Sequence, residues 1–210
     1  MRIYGKNFLL LAAFVLMHLC VWRGIDIVEA QNIQQGIAQE IVRFHVLANS
    51  DTEEDQTLKL EVKTRIVEYC KDLLADAGTV QETKEILAEN LEEIQKTAEA
   101  VIKEQGYTYP VSARLENCYF PMKSYGDCTF PAGNYDALRV CIGKAEGRNW
   151  WCVLYPNLCF VDCIHAVVPE KEKQELKHVL TEEEYESLFD WQEEEYQIKS
   201  GIWEIIKAWF

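Results

Sequence analysis

Residues 41–48 read I-V-R-F-H-V-L-A, and this stretch decides the fold. Its apolar residues occupy alternate positions: Val42, Phe44, Val46 and Ala48. Arg43 and His45 lie between them, and this period of two predicts a β-strand with one buried face. We expect the face that carries Arg43 and His45 to be a sheet surface covered by helices, with contact to a partner as the alternative.

The residues that follow predict a pair of helices. Residues 49–51 (N-S-D) end the strand, and Ser50 begins the S-x-x-E pattern of a capping box. Helical spacing of apolar residues then continues to Gly78. A second capping box at Thr79 starts another apolar helical pattern, which ends at Gly106. The sequence therefore predicts an αα-hairpin that packs on a sheet.

A β-region comes next. Three stretches have strand-like patterns: residues 111–117, 135–142 and 150–155. A turn-rich connection at 119–131 precedes the second of them, and Pro156 ends the last. From Pro169 onward the chain is acidic and helical, with a capping box at Thr181. The predicted class is α+β, with an N-terminal strand, an αα-hairpin, a small antiparallel β-sheet and C-terminal helices.

The charge distribution limits the partners. The 210 residues carry a formal net charge of −14, which disfavours binding to nucleic acid or to an anionic bilayer. Residues 107–169 are the exception, because acidic and basic residues balance there. The same stretch holds most of the cysteines and about half of the aromatic residues. We expect recognition or chemistry to lie in this stretch.

The N-terminus predicts export. Residues 1–30 contain two early basic residues and an apolar run of about fifteen residues, the pattern of a signal peptide or an N-terminal membrane anchor. Residues 31–40 are predicted to be a linker and residues 41–190 the folded domain. Residues 191–210 form an apolar tail, for which we favour core packing over attachment to a membrane surface.

Cys152 has three alternative roles. As a nucleophile it would need an activating histidine such as His165 or His45, and the motif lies inside a strand instead of at a helix start. As a zinc ligand it would be the fourth beside Cys159, Cys163 and His165, but the C-x-x-C spacing of zinc sites is absent. A disulfide between Cys152 and Cys159 across the turn at Pro156 is favoured outside the cell. We expect no metal and no cofactor.

The strand at 150–155 is aromatic on both faces. Trp150, Cys152 and Leu154 are predicted to share one face, and Trp151, Val153 and Tyr155 the other. Such a strand is either covered on both sides or leaves one face open to a partner protein. Tryptophan and tyrosine are common at the centres of protein interfaces. We expect one tryptophan to be buried and the other to face a partner.

Longer motifs resemble a known family. They are R-F-H-V-L-A-N-S-D at 43–51, E-D-Q-x-L-K at 54–59, F-P-x-K-x-Y-G at 120–126, F-P-A-G-x-Y-x-A-L-R-V at 130–140, N-W-W-C-V-L-Y-P at 149–156 and L-C-F at 158–160. Together they resemble the stage II sporulation protein R family over residues 41–188. The chain departs from that pattern at Asn157, where a second proline is expected, and in having Cys118, Cys128 and Cys141.

The resemblance implies a signalling role. Members are exported from the forespore into the space between the forespore and mother-cell membranes, where they activate a septal membrane aspartic protease that processes the precursor of a mother-cell sigma factor, pro-sigma-E. The chain would then be a protease activator and not an enzyme. Ten residues are candidates for contacts with the protease: Arg43, His45, Asn49, Asp51, Tyr125, Gly126, Arg139, Trp150, Trp151 and Tyr155.

Two other functions compete with this one. A secreted thiol-dependent cell-wall or peptide hydrolase would use Cys152, and replacing Cys152 with serine would abolish its activity. A structural protein of the septum, tethered by residues 1–30, would lose its function when released from the membrane.

Overall fold

Strand β1 (Val42–Leu47) lies inside a four-stranded sheet in the computed structural model, which describes residues 2–159 and 167–189. It pairs in parallel with β5 (Gly133–Ile142) and antiparallel with β6 (Asn149–Tyr155). Strand β2 (Val111–Phe120) extends the sheet beyond β5 and gives the order β2-β5-β1-β6. All six residues of β1 are buried, which corrects the prediction of one buried face.

The α+β class is confirmed, and the sheet is mixed instead of purely antiparallel. Between β1 and β5 the chain forms helices and strand β2 before it returns, and β5 then runs parallel to β1. Both β2 and β6 pair antiparallel with their neighbours. The long connection places the helices against one face of the sheet, because a crossover between parallel strands must pass over a face.

Three helices cover the first face of the sheet: α2 (Glu53–Leu73), α3 (Val80–Glu89) and α4 (Leu91–Glu104). The Thr52 hydroxyl caps α2 by accepting a hydrogen bond from the Asp55 N–H, so the cap lies two residues after the predicted Ser50. Thr79 caps α3 as predicted. Asn90 interrupts the predicted second helix, which is therefore α3 followed by α4.

The core between these helices and the sheet is apolar throughout. Its buried residues include Phe44, Val46, Leu58, Val62, Ile66, Leu87, Ile94, Leu138 and Val140. We call this set the helix-face core. Every strand of the sheet contributes to it, directly or with partly buried residues, so it joins the helices to the sheet as one unit.

The second face of the sheet is covered by other elements. The last part of α1 (Arg2–Glu40) and helix α5 (Glu170–Val179) pack there, together with a hairpin of β3 (Lys123–Tyr125) and β4 (Cys128–Phe130). We call the apolar residues that these elements bury the hairpin-face core: Ile37, Ile41, Phe120, Cys128, Phe130, Tyr135, Ala137, Val153, Leu158, Val168, Leu176, Leu180 and Leu188.

Residues 31–40, predicted as a linker, are helical and form the end of α1, with Ile37 fully buried. Within the described residues, no helix combines the length and the apolar character that are needed to cross a bilayer. Residues 182–189 are helical, and Thr181 caps them reciprocally with Glu184 as predicted. Residues 190–210, which include the whole of the predicted tail, lie outside the described residues.

Candidate functional site

Arg43 is fully buried in the hairpin-face core. Its guanidinium carbon lies close to the centroids of four aromatic rings: 4.4 Å from Phe120, 4.9 Å from Tyr135, 5.4 Å from Phe130 and 5.9 Å from Tyr125. Cation–π attraction is strongest where the cation is shielded from water, as it is here. Strands β2 and β5 of the sheet and both strands of the β3–β4 hairpin therefore each place a ring beside one charged side chain.

The hydrogen bonds of Arg43 fix the hairpin on the sheet. Its Nη2 donates to the Tyr125 hydroxyl at 3.0 Å, and its Nε donates to the Cys152 carbonyl at 3.3 Å. Its Nη1 has no hydrogen-bond partner among the described residues. A buried guanidinium is costly unless its donors are satisfied, so these contacts strongly specify the local geometry. Arg43 thus organises the interior of this face and is not exposed to a partner.

His45 continues the same row of buried polar groups. Its ring stacks on Trp151 with centroids 4.8 Å apart and lies 5.1 Å from the Phe120 ring. Burial lowers the pKa of His45 from 6.5 to about 4, and the positive charge of Arg139 adds to the effect. The imidazole is therefore neutral at ordinary pH. Its Nδ1 has no hydrogen-bond partner in the described part of the chain.

The structure places the thiol of Cys118 beside His45. The sequence did not predict that these two side chains would lie together. The Cys118 sulfur lies 3.6 Å from the His45 Nε2. Burial raises the pKa of the Cys118 thiol, whereas the pKa of His45 is lowered. Both shifts favour the neutral thiol and the neutral imidazole over the ion pair that an activated cysteine needs. The geometry is that of a catalytic pair, but the electrostatics oppose thiol catalysis.

Cys152 lies in a disulfide with Cys159, with Cα atoms 5.5 Å apart. The turn between them also donates a hydrogen bond from the Leu158 N–H to the Val153 carbonyl. A disulfide sulfur is neither a nucleophile nor a ligand for zinc, so this state offers neither role. Within residues 2–159 and 167–189, no group of three or more His, Cys, Asp and Glu side chains is placed to hold a metal ion. Cys163 and His165 lie outside the described residues.

Asn49 and Asp51 join two loops at one corner of the sheet. The Asn49 Oδ1 accepts a hydrogen bond from the Lys144 N–H at 3.0 Å, and the Asp51 Oδ1 accepts one from the Arg148 N–H at 2.6 Å. Gly143 has a φ of +60°, and a side chain there would collide with Asn49. The N-S-D motif therefore holds the β5–β6 connection against the start of α2.

Asp55 completes this corner. It accepts hydrogen bonds from the Asn49 side-chain amide and the Ser50 hydroxyl. Burial opposes ionisation of the carboxyl, but these hydrogen bonds prevail and hold the pKa of Asp55 below its usual value. The Asp55 Oδ2 is thus engaged in holding the loop after β1.

The motif around Gly126 fixes the hairpin to helix α5. Gly126 has a φ of +59°, and a Cβ there would lie 3.0 Å from the backbone N of Val168. The neighbouring Asp127 accepts a hydrogen bond from the Val168 N–H and pairs with Lys173. Tyr125 thus contacts Arg43, while Gly126 and Asp127 pack against the residues at the start of α5.

The two tryptophans lie on opposite faces, as predicted. Trp150 packs against Phe44 on the helix face, and the Lys63 ammonium lies 5.1 Å from its ring centroid. Trp151 belongs to the hairpin face, with its ring stacked on His45 and 4.7 Å from the Phe120 ring. β6 is an edge strand of the sheet. Both tryptophans are half-buried, so both faces of β6 are partly covered.

The predicted orientation of Tyr155 is wrong. The pairing of β1 with β6 shifts between Val42 and Arg43, because the chain bulges at this end of β6. The extra residue turns Tyr155 to the helix face, where its hydroxyl donates to the Gly78 carbonyl at 2.8 Å. Alternation along a strand cannot reveal a bulge, so this reversal is not predictable from the pattern of residues 150–155.

The structure therefore separates the ten predicted contact residues into groups. The hairpin-face group holds Arg43, His45, Tyr125, Gly126, Trp151 and Arg139, and within it Arg139 pairs with Glu116 at 2.7 Å. Asn49 and Asp51 lie at the corner, and Trp150 and Tyr155 lie on the helix face. The sequence missed Phe120, Tyr135 and Cys118. Alternation in β2 and β5 was the signal that could have placed them beside Arg43.

Comparisons with known proteins agree with the motifs. Residues 38–165 match the family described as stage II sporulation protein R. Stage II sporulation protein R of Bacillus subtilis (strain 168) is 31% identical over 161 residues, which span 76% of this chain and 72% of that protein. No solved structure shows significant similarity to the chain.

Proposed function

Because the chain belongs to the stage II sporulation protein R family, we propose that it is an exported signalling protein that activates a septal membrane aspartic protease and so promotes the processing of pro-sigma-E. A role in sporulation follows from the family. Similarity to the Bacillus subtilis protein across three quarters of the chain is the observation that carries the proposal. Its site of action is the space between the forespore and mother-cell membranes, reached by way of residues 1–30.

The proposal treats the chain as a ligand and not as an enzyme. Three features of the structure support this view. Cys152 is bonded to Cys159, the Cys118–His45 pair is held in its neutral form, and the Asp55 carboxylate is engaged by Asn49 and Ser50. Groups with catalytic potential are thus committed to packing or to loop geometry.

Activation then requires differential binding. A ligand shifts an equilibrium between an inactive and an active protease only by binding the active state more tightly. We propose that the chain binds the outward-facing part of the protease and favours its active, dimeric state. The N-terminal segment keeps the chain near the membrane when it is not cleaved, and this raises the effective concentration at the protease.

Co-expression in a host that does not sporulate tests the proposal. The host would make the full chain, the protease and the sigma-factor precursor, and an immunoblot would follow cleavage of the precursor. We expect cleavage only when all three are present. The matched control is the chain without residues 1–30, which stays in the cytoplasm and should give no cleavage. Absence of cleavage with the exported full chain would contradict the proposal.

A further inference from the structure

Four side chains form a row across the hairpin face of the sheet. Arg114 of β2 is the register partner of Arg139 of β5, which in turn is opposite His45 of β1, and His45 is opposite Trp151 of β6. Residues that are directly paired in a sheet project from the same face. We call these four residues the arginine row.

The two arginines of the row are accessible, whereas His45 between Arg139 and Trp151 is buried. Arg114 is exposed, and the Arg139 side chain keeps 35% of its accessible surface. Trp151 is half-buried at the other end of the row. The hairpin-face core, by contrast, lies beneath α1, α5 and the β3–β4 hairpin. Among the described residues, one part of this sheet face is thus closed by helices and the hairpin, and the part around Arg114 and Arg139 is exposed.

The row is also positively charged within an acidic protein. Arg114 and Arg139 are directly paired in register, and like charges at paired positions of neighbouring strands are destabilising. Glu116 pairs with Arg139 at 2.7 Å and neutralises one of the two charges. The Arg139 Nε is buried and has no hydrogen-bond partner in the described part of the chain. A net positive patch thus persists in a chain whose net charge is −14.

The pKa of His45 reflects its burial and the positive charge of Arg139 beside it. Burial lowers this pKa most, and the charge of Arg139 lowers it further. His45 therefore adds no charge of its own, but its ring supports the flat surface of Trp151. The result is a strip with cationic donors at one end and an aromatic surface at the other.

We propose that the arginine row is the docking surface for an acidic segment of the activated protease. Carboxylates of that segment bind the guanidinium groups of Arg114 and Arg139, and an apolar side chain beside them packs on Trp151. Guanidinium groups bind carboxylates in a planar, two-point geometry, and aromatic side chains are frequent anchors in interfaces. This inference rests on the proposed function, since it specifies the chemistry of the partner surface.

Charge reversal on the row provides the first measurement. The dissociation constant of the full chain for the full-length protease in lipid nanodiscs would be measured for the wild type and for Arg114→Glu. We expect binding to weaken at least roughly tenfold, and Arg114→Gln to give a smaller loss. Arg65→Glu is the matched control, because Arg65 is half-exposed on helix α2, on the opposite face of the sheet. It should bind like the wild type.

A photo-crosslinking residue at Ser112, which neighbours the row on the same face, provides the second measurement. We expect it to crosslink to an acidic peptide of the protease, which mass spectrometry would identify. Exchanging an acidic residue of that peptide for lysine should restore binding to Arg114→Glu. Thermal unfolding of each variant would verify that its fold is retained.

The outcomes distinguish the two proposals. Absence of binding by the wild-type chain would contradict the proposed function itself. Wild-type binding that Arg114→Glu leaves unchanged would overturn the docking surface and leave the proposed function standing. The docking surface is equally overturned if Arg65→Glu weakens binding as much as Arg114→Glu does, or if Ser112 crosslinks to a basic peptide.

Discussion

The two faces of the sheet are built by different means. The helix face buries an apolar core in which Phe44, Leu138 and Val140 meet three amphipathic helices. The hairpin face buries Arg43 and His45 among aromatic rings, and it leaves Arg114 and Arg139 accessible. An apolar core tolerates exchanges between hydrophobic residues of similar volume, whereas a buried guanidinium requires hydrogen-bond acceptors and rings at fixed positions. The helix face therefore supplies stability, and the hairpin face supplies a defined shape.

The largest expected effect tests whether the helix-face core supplies most of the stability. Phe44 is fully buried, so Phe44→Ala should lower the free energy of unfolding by about 3–5 kcal/mol through lost apolar contact and the cavity that remains. Urea denaturation would measure the change. Tyr119→Ala is the matched control, because Tyr119 is 63% exposed and should change stability by less than about 0.5 kcal/mol. Similar losses in both variants would contradict the assignment of the core.

A pH series tests the hairpin face. The pKa of His45 falls from 6.5 in the unfolded chain to about 4 in the folded protein, mainly because the ring is buried. Between these values the unfolded chain binds a proton that the folded chain does not. The free energy of unfolding should therefore fall as the pH drops from 6.5 to 4, by roughly 3 kcal/mol from this residue.

His45→Gln should remove that part of the pH dependence, which urea denaturation at several pH values would show. The variant is compared with the wild type at each pH, since carboxyl groups titrate in both proteins. An unchanged slope between pH 6.5 and 4 would mean that His45 is more accessible than the structure indicates.

Arg43→Lys tests whether the shape of the guanidinium matters. Lysine keeps the charge but cannot donate to both the Tyr125 hydroxyl and the Cys152 carbonyl in the geometry of a planar group. We expect the variant to lose about 2–3 kcal/mol of unfolding free energy. Arg43→Met, which removes the buried charge and keeps much of the volume, is the comparison variant and should lose less. A fully stable Arg43→Lys protein would show that the charge alone suffices.

The smallest expected effect concerns the disulfide. Cys152 and Cys159 are seven residues apart, so the bond closes a short loop and should contribute roughly 2 kcal/mol. Replacing both with alanine should lower the thermal midpoint and leave activation of the protease intact in the co-expression host. Loss of activation at a temperature where the variant is folded would favour a thiol-dependent function.

The sequence predicted the parts of the fold that follow from periodicity. The strand at β1, the amphipathic helices and the strands β2, β5 and β6 each have an apolar pattern that local geometry imposes. Periodicity does not reveal which strands pair. The parallel pairing of β1 with β5, and with it the burial of both faces of β1, depends on a long connection that no local pattern encodes.

The candidate site was less predictable, for the same reason. Arg43 and His45 stood out as polar residues in an apolar strand, but the aromatic rings that enclose them come from five other strands, β2 to β6. The row from Arg114 to Trp151 exists only because four strands align in one register. Asn49 and Asp51 were noted as polar residues after a strand, and their use in holding a distant loop required the folded chain.

Titration of purified protease tests the central claim most directly, namely that the chain acts by binding and carries out no reaction. The protease in nanodiscs and the sigma-factor precursor would be mixed with increasing amounts of the full chain, and the initial rate of precursor cleavage would be recorded. We expect the rate to saturate near one chain per protease and to fall when the chain is removed. Full activation by a trace of the chain, persisting after its removal, would contradict the account.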